Sequence, residues 1–177
     1  MITSFLLNKK LVLLLFIVTV LCIFSMRFFD APLKNDICKS GIISFELAKD
    51  LSVSEDIMDS WNERSKVSAS LSMGFDFLFL LVYSSFIGLL IFRVRNKMKK
   101  DHFLQKLGKI LIYAIFLAAL FDVIENIALI KLLLGDLKQI WSSLAYYFAI
   151  PKFLIVLICI VYILLSWLFL LFRKNIE

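Results

Sequence analysis

Four stretches of this chain each run for about twenty residues with almost no charge, and that pattern leaves little choice of fold. The hydrocarbon core of a bilayer is about 30 Å thick and a helix rises about 1.5 Å per residue, so each stretch is long enough to cross it. The first spans residues 11–29, uncharged between Lys10 and Arg27. The second spans 70–92 and holds Asp76; the third spans 110–134 and holds Asp122 and Glu125, with Lys131 near one end. The fourth opens at Pro151, which suits the first turn of a helix, and runs to residue 172. Hydrophobic residues make up 62% of the chain and charged residues 19%, a balance that excludes an ordinary soluble domain. The predicted fold is therefore all-α: a polytopic four-helix membrane bundle forming one domain, with the lipid bilayer as its main partner.

A cleaved signal peptide is the alternative for the first span, with Ser25 as the small residue near a cleavage point. Arg27, Phe28 and Phe29 follow at once and no A-x-A pattern is present, which favours retention.

The net charge of +6 first suggests an anionic partner such as nucleic acid. It resolves into topology: residues 93–109 hold seven basic residues and one acid, Asp101, and so carry the whole excess. Lys and Arg in short flanks are retained in the cytoplasm, which puts this loop and both termini inside, in a bacterial inner membrane. Lys9, Lys10, Arg173 and Lys174 agree with that orientation. A loop this short is no nucleic-acid module, although it suits anionic headgroups. Residues 30–69 form the outer loop. Ile43, Leu47 and Leu51 recur there at four-residue spacing beside Phe45, and Ser52 with Glu55 makes a capping-box pattern ahead of Val53, Ile57, Met58 and Trp61. Two short amphipathic helices capping the bundle are expected. Trp61, Trp141, Tyr146 and Tyr147 suit the interfaces.

Ionisable groups inside a span cost about 2.5–3.5 kcal/mol on insertion scales and normally face protein or water. Asp122, Glu125 and Asn126 fall within one sector of the third helix, and Ala118 and Ala119 share it, so a neighbouring helix packs there. On the second helix Ser72, Asp76 and Tyr83 share a face; on the fourth, Lys152, Cys159 and Ser166 repeat every seven residues. Arg27 and Asp30 end the first span at the same outer level. These faces predict a polar pocket in the outer half of the bundle above a dry inner half. A packing network is the competing reading, with Asp122 or Glu125 paired to Lys131 or Lys152.

The only histidine, His102, lies in the basic loop, and Cys22, Cys38 and Cys159 are far apart with no C-x-x-C. A His-based metal centre and a thiol redox centre are therefore not expected, and no cofactor is called for. Carboxylates with Asn126 would suit a hard cation, but no loop motif for one is present.

The strings GIISFELA (41–48), SMGFDFLF (72–79), FDVIEN (121–126) and AIPKF (149–153) resemble those of uncharacterised bacterial four-span membrane proteins. The resemblance covers most of the chain and implies the fold and no activity. It groups Glu46, Asp76, Asp122, Glu125, Asn126 and Lys152 into one site, with Glu46 as a lid residue; Tyr83 and Arg27 complete the ligand- or proton-binding candidates. The leading functional expectation is an outward-facing acidic pocket that binds or transports a proton, a cation or a small amine, with a homodimer or larger membrane complex for transport. An intramembrane enzyme acting on a lipid or lipid-linked substrate is the alternative, with Asp122 or Glu125 as general base and Lys152 stabilising charge. An accessory subunit without chemistry is the third. A reporter that is active only in the cytoplasm is expected to work when fused at either terminus or within 93–109 and to fail within 30–69; activity within 30–69 would reverse the orientation.

Overall fold

The computed structural model describes residues 8–99 and 102–174, with the backbone alone described for Arg173 and Lys174. The order is α1 (Lys9–Asp30), a 3₁₀ turn (Ala31–Leu33), α2 (Ile42–Glu46), α3 (Leu51–Asp59), α4 (Glu63–Arg95), α5 (Phe103–Leu133) and α6 (Gln139–Lys174). Helices α1, α4, α5 and α6 are long and apolar enough to cross a membrane, and the chain is a multi-pass membrane protein. No strand occurs among the described residues.

Side-chain caps start the long helices. Asn8 Oδ1 accepts from Lys10 N, Asn62 Oδ1 from Ser65 N and His102 Nδ1 from Leu104 N, each satisfying an otherwise orphan first-turn donor. Arg93 and Arg95 close α4 with positive charge at the negative end of its dipole. The basic stretch predicted over 93–109 is thus mostly helical. Only 96–102 connect α4 to α5, and Lys100 and Asp101 lie outside the described residues.

The fourth span departs most from expectation. Helix α6 begins at Gln139 and carries Pro151 in its interior, where the missing N–H leaves the Tyr147 carbonyl without its helical donor. The segment left between the third and fourth spans, 135–150, shrinks to a turn around Gly135, whose φ of +87° a glycine adopts freely. Lys138 and Trp141 both donate to Asp136 there and hold its carboxyl below the usual carboxylate range. The extra turns of α6 persist because Ser142, Ala145 and Ala149 form a buried line of small side chains that admits the neighbouring helix and loop.

Residues 31–62 fold over one end of the bundle as a cap. Trp61 Nε1 donates to the Leu33 carbonyl at 3.0 Å and Ser65 Oγ to the Pro32 carbonyl at 2.7 Å. Gln139 of α6 ties the cap from the other side, accepting from Leu51 N and donating to the Lys49 carbonyl. That amide takes over the capping of α3. The helix therefore starts at Leu51, with Ser52 inside it, in place of the Ser52–Glu55 box. The predicted apolar line of Ile43, Leu47 and Leu51 is broken as well: Leu47 is the C-cap that follows α2, Lys49 sits at φ +60°, and the residues turned inward are Ile42, Phe45 and Glu46.

Helix α5 is central, packing extensively on both α4 and α6, whereas α1 lies against α4 at the edge. Two apolar cores result. One joins the cap to Met73 of α4, Leu129 of α5 and Ala145 of α6; the other joins Leu80, Ile115 and Cys159 farther along the same helices. Asp76, Asp122, Glu125, Asn126 and Lys152 fall between the two cores, and Tyr83 belongs to the second.

Gly41, at φ +62°, is the one glycine that the cap requires, because a Cβ there would land on the Asp30 carboxylate, which accepts from Ile42 N at 2.7 Å. Gly41→Ala is expected to destabilise the protein by about 1–3 kcal/mol, read from thermal unfolding in detergent. An unchanged melting temperature would refute this account of the cap.

Candidate functional site

The polar layer is built around one ammonium. Lys152, on α6 just past the proline, lies 3.0 Å from Asp122 Oδ1 and 2.7 Å from Glu125 Oε2, both on α5. Asp122 and Glu125 are three residues apart, so one helix face presents both to the same cation. The contact with Asp122 is a hydrogen bond. That with Glu125 is close but poorly aligned, so it is an ion pair by distance while neither Glu125 oxygen has an aligned donor. Lys152 Nζ also sits 4.6 Å from the centre of the Phe153 ring, a cation–π contact.

Two further contacts extend the layer to α4. Tyr83 OH donates to Asp122 Oδ2 at 2.9 Å, and Asn126 Nδ2 donates to Asp76 Oδ2 at 2.6 Å. The cap supplies the last member: Glu46, the final residue of α2, comes within hydrogen-bonding reach of Glu125. Burial foremost pushes the Glu46 carboxyl above the ordinary glutamate value; Asp122 and Asp30 push the same way and Lys152 opposes them.

Seven of the residues singled out in the sequence therefore meet in one layer: Glu46, Asp76, Tyr83, Asp122, Glu125, Asn126 and Lys152. Arg27 does not join them. It is exposed on α1, which packs against α4 at the edge of the bundle. Lys131 is exposed as well, so Lys152 alone pairs with Asp122 and Glu125. Phe153 was not legible beforehand, since adjacent helix residues ordinarily face apart and nothing in the spacing announces that Lys152 folds back over its neighbour. The layer is closed over by the cap and its apolar core. A groove of about 520 Å³ lies elsewhere, on the cap surface between Glu55, Asp59, Lys66 and Leu133.

The fold and site define a class: a four-span helical membrane protein with a buried carboxylate layer clamped by one lysine. Comparison with protein-family models, curated proteins and solved structures returned no match.

Removing one partner from a buried ion pair strands the other charges, a loss of about 3–5 kcal/mol. Lys152→Met is expected to destabilise the protein by that amount in detergent. The double variant Lys152→Met/Asp122→Asn is expected to lose much less than the sum of the singles, because the stranded carboxylate is gone. Additive losses would show that the pair is not coupled.

Proposed function

We propose that this protein binds protons in the carboxylate layer around Lys152, and that the site is reached from the end covered by residues 31–62. Charge balance carries the reading. Glu46, Asp76, Asp122 and Glu125 are all buried, and Lys152 is the one buried cation among the described residues. With every group ionised, four negative charges would face one positive charge. Each uncompensated ion in so dry a place costs several kcal/mol, and protonation relieves that cost. The ammonium of Lys152 already fills the space between Asp122 and Glu125 that a metal ion or small amine would need, which favours the proton as ligand. The apolar core beyond Tyr83, with Leu80, Ile115 and Cys159, supports entry from one end only.

Basic residues supply the orientation. Lys9, Lys10, Arg93, Lys97 and Lys99 all belong to the end opposite the cap, and positive-inside retention places that end in the cytoplasm of a bacterial inner membrane. The cap, with α2 and α3 as its short helices, then faces outward and acts as a lid over the proton site.

The pH dependence follows from Glu46. Its carboxyl is raised in the folded protein, so over the interval between the ordinary glutamate value and the folded one the native state holds a proton that the unfolded chain has lost. Stability is then highest on the acid side of that interval and falls as pH rises through it, by about 1.4 kcal/mol per pH unit for each such proton. Thermal unfolding in nanodiscs across mildly acid to alkaline pH is expected to show this decline. Glu46→Gln is expected to flatten it most, and Asp76→Asn/Asp122→Asn, which removes neighbouring negative charge, to make it shallower. A wild-type profile that is flat over the whole range would remove the proton-binding reading.

A further inference from the structure

Building on that proton-binding reading, we propose that Glu46 and Glu125 hold a single proton between them, and that this shared proton fastens α2 over Lys152. Three observations converge on the pair. The two carboxyl groups are within hydrogen-bonding reach of each other, across the junction between cap and bundle. Glu46 Oε2 and Glu125 Oε1 are buried without a hydrogen-bond donor, and Glu125 Oε2 has only the ammonium of Lys152, at 2.7 Å. Elsewhere in the layer Asp122 and Asp76 do have donors, in Tyr83, Lys152 and Asn126. Two facing carboxylates with no donor between them repel; one proton turns the contact into an O–H···O⁻ hydrogen bond, among the strongest that side chains make.

The surroundings favour that proton. Facing the pair are Lys152 from α6, Asp122 from α5, Asp76 from α4 and Asp30 from the end of α1. Asp30 is itself engaged by Lys34 at 3.1 Å and by the Ile42 amide. One cation among three further carboxylates leaves the local field negative, which attracts a proton to the pair. The route is also set. Glu46 keeps 9% of its surface exposed and Glu125 none, so water or hydroxide takes the proton from Glu46 first.

Loss of the proton leaves two adjacent anions, and the element that carries Glu46 is the five-residue α2. It is bounded by Gly41 at φ +62° and Lys49 at φ +60°. The consequence is an acid-closed, alkali-opened cap: hydroxide removes the shared proton, forming water, and α2 lifts from Glu125 and exposes Lys152.

A native thiol reads the motion. Cys38, buried in the cap, donates to the Gly41 carbonyl at 3.0 Å, whereas Cys22 and Cys159 belong to the membrane helices. The experiment compares alkylation of Cys38 by a membrane-impermeant maleimide in nanodisc-embedded wild type, Glu46→Gln and Glu125→Gln, with the labelled site identified by mass spectrometry. Either glutamine supplies a permanent neutral donor to the remaining carboxylate. At mildly acid pH the three proteins are expected to label at equal rates. At alkaline pH wild type is expected to label faster than either variant, the ratio growing by up to about tenfold per pH unit. Comparison at equal pH cancels the ionisation of the thiol itself. Infrared spectra are expected to lose one and the same protonated-carboxyl band in both variants. A rate ratio that stays at one, or a different band lost from each variant, overturns the shared proton. If Asp76→Asn/Asp122→Asn makes the stability profile shallower while the Cys38 ratio stays at one, the latch fails and the proton-binding layer stands. If neither responds, both fail.

Discussion

Everything in the membrane-embedded part of this protein is arranged around the ammonium of Lys152. Two carboxylate oxygens, Asp122 Oδ1 and Glu125 Oε2, pair with it, and Tyr83 completes the hydrogen bonding of Asp122. A lone lysine in hydrocarbon is costly, and so is a lone aspartate. Each is tolerable only because the other helix brings its counter-ion, so α5 and α6 must pack face to face in one register. The small residues Ala118, Ala119, Ala145 and Ala149 let that close approach happen.

A buried ion pair of this type is poor evidence of stability on its own, because desolvation takes back most of the Coulomb attraction. Apolar packing does the holding. The two cores on either side of the polar layer clamp it, the cap core through Phe45, Trp61 and Leu129, the other through Leu80, Ile91 and Ile115. Carboxylates in excess of cations are hard to account for as packing alone. On the proposed reading they form a proton-binding site, which the cap, with Glu46 set into it, joins to one end of the bundle.

Much of this was legible in the sequence. The four spans followed from apolar run length, and the polar faces of α4, α5 and α6 from the 3.6-residue period acting on Asp76, Tyr83, Asp122, Glu125, Asn126 and Lys152. Element ends were read less well. Pro151 looked like a helix start because proline favours the first turn, yet α6 begins twelve residues earlier, where tertiary contacts through Gln139 and Ser142 outweigh one missing hydrogen bond. The start of α3 was misplaced for a related reason, since the amide that caps Leu51 comes from a residue distant in sequence. Arg27 has the right depth in the membrane but the wrong neighbours, and depth is all that a position along one span reveals.

The sequence by itself determined that the chain is a four-span membrane protein with its polar residues aligned on three helix faces, because burial cost and helical period are local properties of the chain. Only the tertiary structure decided which cation meets which carboxylates, that Arg27 takes no part, and that Glu46 in a loop is brought against Glu125 in a span. Those outcomes depend on the order in which helices pack around α5 and on how the cap folds back, and both are set by contacts between residues far apart along the chain.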